Sequence, residues 1–365
     1  MTLPRRSFLA AAPVLAQAPL AAATNKLSPI RLGIGLNTDR INDDDLRFVR
    51  QLGVTHVVAH MPKVPGEGYW ELDGLRELKR YIHSHGLALE ALENFPIPHW
   101  HDVLLGRPGR DGQIANLQKT IRNMGKAGIP IMGYCFSLAG VWGHWRAYSA
   151  GGGRGGAGIK SFDYSRVKAA PQLPNGELWG VKFDPKATGT IGEVSQEEMW
   201  SRLRYFLERV MPVAEEAGVR LGAHPDDPPV PVLRGTGRLL VSHAAMRRFA
   251  DLVPSKNHGF EFCQGTVAEM GGSVYDAIRE FTGRKKIFYV HFRNVRGEFP
   301  ANFDETFIDE GAVDMLQCLR IYKEAGYEGI LIPDHAPRVT APGQWHAGIA
   351  FTLGYIRAAM QAAGV

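Results

Sequence analysis

A strand-and-helix alternation, repeated eight times, is the feature that most limits what this chain can become. Short β-rich runs at 32–37, 54–60, 87–93, 129–136, 219–224, 259–263, 287–292 and 329–334 are each followed by an amphipathic stretch. Those stretches fall at 43–52, 72–85, 112–127, 195–217, 242–252, 273–283, 312–325 and 344–362. The junctions share one sign. Leu52-Gly53-Val54, His85-Gly86-Leu87, Ala127-Gly128-Ile129, Ala217-Gly218-Val219 and Ala325-Gly326-Tyr327 all put a glycine where a helix should stop. Glycine there takes the left-handed conformation that ends a helix before a buried strand begins. Ser195 and Glu198 add a capping-box spacing at the start of the fourth helix.

No hairpin signal joins neighbouring runs, so the strands are expected to be parallel. Eight such units predict an α/β fold, a single-domain (β/α)8 TIM barrel over residues 24–365. A doubly wound open sheet competes with it, but the glycine-rich first turn of that fold is missing after 32–37. The 365 residues would suit two domains, yet barrels of this kind often exceed about 200 residues as one unit. One connection breaks the rhythm. Residues 137–194 carry the run Gly151-Gly152-Gly153-Arg154-Gly155-Gly156 and little periodicity. A loop following a barrel strand lies over the active-site mouth, so this insertion reads as a lid. Its glycines are not a phosphate cradle, because no Lys-Ser/Thr follows and no strand leads into them.

The first 23 residues read as an address rather than as structure. Arg5-Arg6 precede Ser7-Phe8-Leu9, a short alanine-rich run and the small residues Ala21-Ala22-Ala23. That order is similar to a twin-arginine (Tat) signal, which predicts export of a folded protein to the periplasm or beyond. Pro13, Gln17 and Pro19 interrupt the run, which is too short to be a membrane helix. No membrane span is expected in the mature chain. The signal also accounts for part of the formal charge of +5; without Arg5 and Arg6 the balance is 40 basic to 37 acidic residues. So mild an excess, with no basic stripe, argues against nucleic acid as a partner.

A barrel predicts that functional residues sit at the C-terminal ends of its strands. The fifth run ends at His224, the sixth at Cys263, the seventh at His291 and the eighth at Asp334-His335. Four consecutive strands thereby bring two imidazoles, a thiol and a carboxylate to one rim. That donor set suits a divalent transition ion, zinc by ligand type, and not calcium or magnesium, which want oxygen. Cys318 lies mid-helix and reads as core, whereas Cys135 closes the fourth run and could face the barrel interior. Three cysteines do not make a disulfide framework.

Several motifs carry a resemblance. His-Pro-Asp-Asp-Pro-Pro at 224–229, Phe-Cys-x-Gly at 262–265, His-Phe-Arg-Asn-Val at 291–295 and Pro-Asp-His at 333–335 resemble those of the mannonate dehydratase family of the UxuA type. Arg110-Asp111, Thr120-Ile121-Arg122-Asn123, Tyr134, Asp309, Gly311, Asp314 and Met315 extend the likeness over nearly the whole mature chain. The resemblance implies a TIM barrel with a manganese-type ion on His224, Cys263, His291 and Asp334, where Fe2+, Co2+ or Zn2+ could substitute. It also implies loss of water from D-mannonate to give 2-keto-3-deoxy-D-gluconate, with His335 as the catalytic acid/base.

Position and chemistry suggest Arg293 as a fork for the substrate carboxylate, Asn294 for its hydroxyls, and Tyr134 as a further substrate contact. The chain also departs from the family. Ala336-Pro337 follow Asp334-His335 in place of the usual glycine, and Gly343-Gln344-Trp345-His346-Ala347 stand where the family carries a catalytic tyrosine. His346 or His144 could then be the second acid/base. The competing function is a barrel isomerase, epimerase or lyase acting on an oxidised sugar. Expected partners are a small sugar acid, the Tat export machinery and, as an open option, further copies of the chain.

Overall fold

Five helices stop where a glycine takes a positive φ: Gly53 at 89°, Gly86 at 72°, Gly128 at 68°, Gly218 at 67° and Gly326 at 77°. In the computed structural model, which describes residues 29–365 apart from 143, 150 and 151, and 144–149 by backbone only, each of these turns delivers the chain into a strand. The proposed signal at 1–23 lies outside the described residues. Ser195 forms the expected capping box, accepting from the Glu198 amide at 3.2 Å while the Glu198 carboxylate accepts from the Ser195 amide at 3.1 Å.

Eight strands close into a ring. They are β1 (Arg31–Asn37), β2 (His56–His60), β3 (Ala88–Glu93), β4 (Ile131–Tyr134), β5 (Arg220–Ala223), β6 (His258–Cys263), β7 (Ile287–His291) and β8 (Ile330–Ile332). Every neighbouring pair is parallel, and β8 returns to β1 through Arg31–Ile330 and Leu32–Leu331. The β1–β2 ladder has five such pairs, whereas β8 has two with β1 and two with β7. Outside run α1 (Asp43–Gln51), α2 (Leu72–Ser84), α3 (Arg110–Ala127), α4 (Gln196–Ala217), α5 (His243–Ala250), α6 (Val274–Gly283), α7 (Met315–Glu324) and α8 (Gln344–Ala363). Among the described residues no helix is long and apolar enough to cross a membrane.

Strand parity divides the core in two. Phe260 and Phe262 of β6 and Val290 of β7 join the large apolar layer beneath the helices, so Glu261, Cys263, Tyr289 and His291 turn inward. A smaller buried cluster holds Val58, Ala91, Ile131, Tyr289, Ile330 and Ile332. Gly133 of β4 leaves the space that this interior needs. A Cβ there would lie 2.1 Å from Tyr289 Oη and 2.3 Å from Glu261 Oε2.

The insertion at 137–194 carries secondary structure that its irregular sequence did not announce. Strands His144–Ser149 and Ile159–Phe162 join Phe303–Glu305 and Val295–Arg296, from the loop after β7, in a four-stranded antiparallel sheet. The Phe162 and Phe303 rings stack across it, 4.5 Å between centroids. Insertion and loop are one hydrogen-bonded unit beside the barrel mouth.

Candidate active site

The strand ends converge as the barrel predicts. One donor atom each from His224, Cys263 and His291 lies within 4.8 Å of the other two, and Asp334 Oδ1 stands 3.8 Å from His291 Nδ1. Burial alone would raise the Cys263 thiol. The charge of Arg293 and hydrogen bonds from His224 and His291 outweigh burial and hold the thiol well below its usual range. Desolvation would lower the half-buried His224, yet its bond to Cys263 lifts it to about 10. Both imidazoles thus direct ring N–H protons at the Cys263 sulfur. A thiolate and two imidazoles on rigid strand ends, facing one another, fit a divalent transition ion in place of those protons.

Beneath the trio lies a second group that the sequence reading missed. Glu93 closes β3 and Glu261 lies on β6. His291 Nε2 is 3.0 Å from Glu261 Oε1 and 3.4 Å from Glu93 Oε2. His60, the last residue of β2, sits with Nδ1 3.0 Å from Glu93 Oε1, and Tyr289 Oη donates to Glu93 at 3.3 Å. Burial opposes charge on both carboxylates. It prevails at Glu261, which is raised, while hydrogen bonds from His291 and His60 keep Glu93 low. His60 and Glu93 end their strands just as His291 ends β7, so the strand-end rule applied to β2 and β3 would have found them.

His335 follows Asp334 and is gripped by Glu305 of the antiparallel sheet. Its Nε2 lies 2.5 Å from Glu305 Oε2 and 3.3 Å from Asp334 Oδ2. Two cavities flank this line of residues. One, of about 420 Å³, is lined on its outer side by Trp142, Trp179 and Arg234. The other, of about 480 Å³, is lined by Arg40, His335, Arg338 and Trp345. His60, Glu93, Lys160, His291 and Asp334 border both. Cys135 lines the first, while Cys318 is packed in the apolar core.

Four expected site residues are placed elsewhere. Arg293 is buried and enclosed: its Nη atoms donate to Glu269 and Asp227 at 2.7 Å each, and its Nε is 3.2 Å from Asp334. Its charge is used inside the protein, steadying Asp334 and Glu305, rather than held out to a substrate. Asn294 ties the loop after β7, donating to the carbonyls of Ile308 and Val313 and accepting from the amides of Val295 and Val313. Tyr134 follows the inward Gly133 and so points outward, against Trp100 and Phe206. His346 opens α8 with its Nε2 2.7 Å from Asp45 Oδ1 and its ring against Phe48, and it lines neither cavity. His144 lies in a strand whose side chains are outside the described ones.

Comparison with known proteins agrees with this geometry. The sequence profile of D-mannonate dehydratase (UxuA) matches residues 38–365. Mannonate dehydratase 2 of Halalkalibacterium halodurans is 30% identical over 302 residues, 80% of this chain and 86% of that protein. The mannonate dehydratase of Enterococcus faecalis is 32% identical over 342 residues, 87% of this chain and 93% of that one. The crystal structure of mannonate dehydratase from Streptococcus suis serotype 2 superposes with a TM-score of 0.73 at 28% identity, covering 92% and 95% of the two chains. A profile match across the barrel, and relatives of this identity over most of its length, place the chain in the D-mannonate dehydratase (UxuA) family.

Proposed function

We propose that this chain is a metal-dependent hydro-lyase that removes water from D-mannonate to give 2-keto-3-deoxy-D-gluconate. The observation that carries the reading is the trio His224, Cys263 and His291, with Asp334 and His335 beside it, in a barrel of this family. The reaction takes a proton from C2 and breaks the C3–O bond. The departing hydroxyl gains a proton and leaves as water, and the enol becomes the 2-keto acid as a proton arrives at C3. A divalent ion on the trio and Asp334, manganese by family resemblance, would hold substrate oxygens and ease the charge that builds beside the carboxylate.

The chain's own residues supply the proton chemistry. His335 is the acid/base, held by the Glu305 carboxylate on a nitrogen that borders Asp334. His60, tied to Glu93 at the end of β2, is the second acid/base, since it borders both cavities and His346 borders neither. Residues 137–194 act as a cover over the mouth, and the Tat-like segment at 1–23 directs export.

The test is to incubate the purified chain with Mn2+, Fe2+, Co2+ or Zn2+ and a panel of aldonates, and to detect 2-keto-3-deoxy acids. Turnover of D-mannonate is expected, fastest with Mn2+. A chain that keeps its metal but turns over no aldonate rejects the proposal. Recovery of the protein from spheroplasts alone, with none in the periplasm, would reject the export assignment.

A further inference from the structure

With Arg293 enclosed by carboxylates, the dehydratase reading leaves the substrate's own carboxylate with no side-chain cation assigned to it. That group is bonded to C2, the carbon that gives up its proton, so it must lie within a few ångströms of the reacting centre. The centre is rich in carboxylates: Glu93, Glu305 and Asp334 all crowd near it. A side-chain cation beside them would add to the pull of the bound ion in drawing an anionic substrate into a confined cavity.

Lys160 stands in that position. It borders both cavities together with His60, Glu93, His291 and Asp334, the residues along which the two chambers meet. Arg40 and Arg338 line only one chamber, and Arg234 only the other. Arg40 is also ion-paired to Asp45 at 3.4 Å, and Arg234 lies over the Trp142 ring. Strand pairing aims Lys160 inward. It lies directly opposite Glu305 in the antiparallel sheet, and directly opposed residues project to the same face. Its Nζ is 3.7 Å from Glu305 Oε2, which itself holds His335. An ammonium carries three donors, so the pair with Glu305 is compatible with a second anionic contact. The charge of Lys160 also reaches Asp334, helping to hold that carboxyl down.

We propose that Lys160 binds the C1 carboxylate of the substrate and so selects aldonates over uncharged polyols. The inference rests on the dehydratase reading for the identity of the substrate. It also gives the insertion a role in recognition, because Lys160 is delivered by the strand Ile159–Phe162.

The test compares the full chain with Lys160→Met and Lys160→Arg, measuring affinity for D-mannonate and for mannitol, which lacks the carboxylate, alongside turnover. The methionine variant should bind D-mannonate about 10- to 100-fold more weakly, the usual effect of losing a charged hydrogen bond. Its mannitol affinity and metal content should stay unchanged, and the arginine variant should recover most of the loss. A preference for mannonate over mannitol that survives in Lys160→Met overturns the proposal, as does a parallel loss for both ligands. If the wild-type chain binds mannonate but does not turn it over, the dehydratase reading fails while the affinity ratio still judges Lys160. If the wild-type chain does not bind mannonate at all, both fail.

Discussion

The barrel rim and the antiparallel sheet beside it reach the same cavity by different structural means. The rim offers His60, Glu93, His224, Cys263 and His291, each at or just past the end of a parallel strand. The sheet offers Lys160 and Glu305, which meet only because two segments far apart in sequence pair in register. Rim residues are fixed by ladders on both sides and by inward parity. Sheet residues are fixed by the short antiparallel ladders of an open four-stranded sheet and by the ion pairs they make. On the proposed reading metal chemistry, which demands constant geometry, falls to the first, and recognition, which tolerates adjustment, to the second.

Variants can break that division. Cys263→Ser takes a donor from the rim and should lower metal content and activity by at least about 100-fold, because even outer partners of metal ligands cost 10- to 100-fold. Elemental analysis and turnover check it, and unchanged metal content would remove Cys263 from the ligand set. Glu305→Gln, on the sheet, should lower kcat about 10- to 100-fold with metal retained, because His335 loses the charge that grips it. If metal is lost as well, rim and sheet are not separable.

Gly133→Ala sharpens the rim side. The new methyl would press on Tyr289 and Glu261, so a loss of about 1–3 kcal/mol of stability is expected, read as a lower Tm. His346→Ala should have the smallest effect. Activity should change by less than about threefold, and stability by roughly 1 kcal/mol from the lost bond to Asp45. Burial raises the Asp45 carboxyl, but Asn42 and His346 outweigh it and hold it below 3.8. Its contribution to stability is therefore present above pH 3.8 and disappears as the pH falls through the lowered value. The acid-unfolding midpoint of His346→Ala should rise relative to wild type.

Much of this was readable from the chain alone, for physical reasons that differ by region. Glycine at helix ends and a residue count set by strand length made the barrel visible. The same period explains the trio: a strand that must end at the rim puts its last inward residue there. His60 and Glu93 obey that rule and were passed over. Tyr134 was misassigned because parity was not followed from Gly133, its inward neighbour. Arg293 looked like a substrate fork because nothing local reveals Glu269 and Asp227 folding onto it. His346 and Asp45 are joined across almost the entire chain, and Lys160 sits in a segment without periodicity. Long-range pairing leaves no local signature.

The closing strand of the barrel gives this arrangement a mechanical side. β8 is the most lightly fastened stave, with two register pairs on each edge, and it leads directly to Asp334 and His335. With so few register pairs, the clamps beyond its tip, Arg293 on Asp334 and Glu305 on His335, set where the His335 imidazole rests. The imidazole proposed to move protons is thus also the one whose alignment depends on charge rather than on the weave of the sheet.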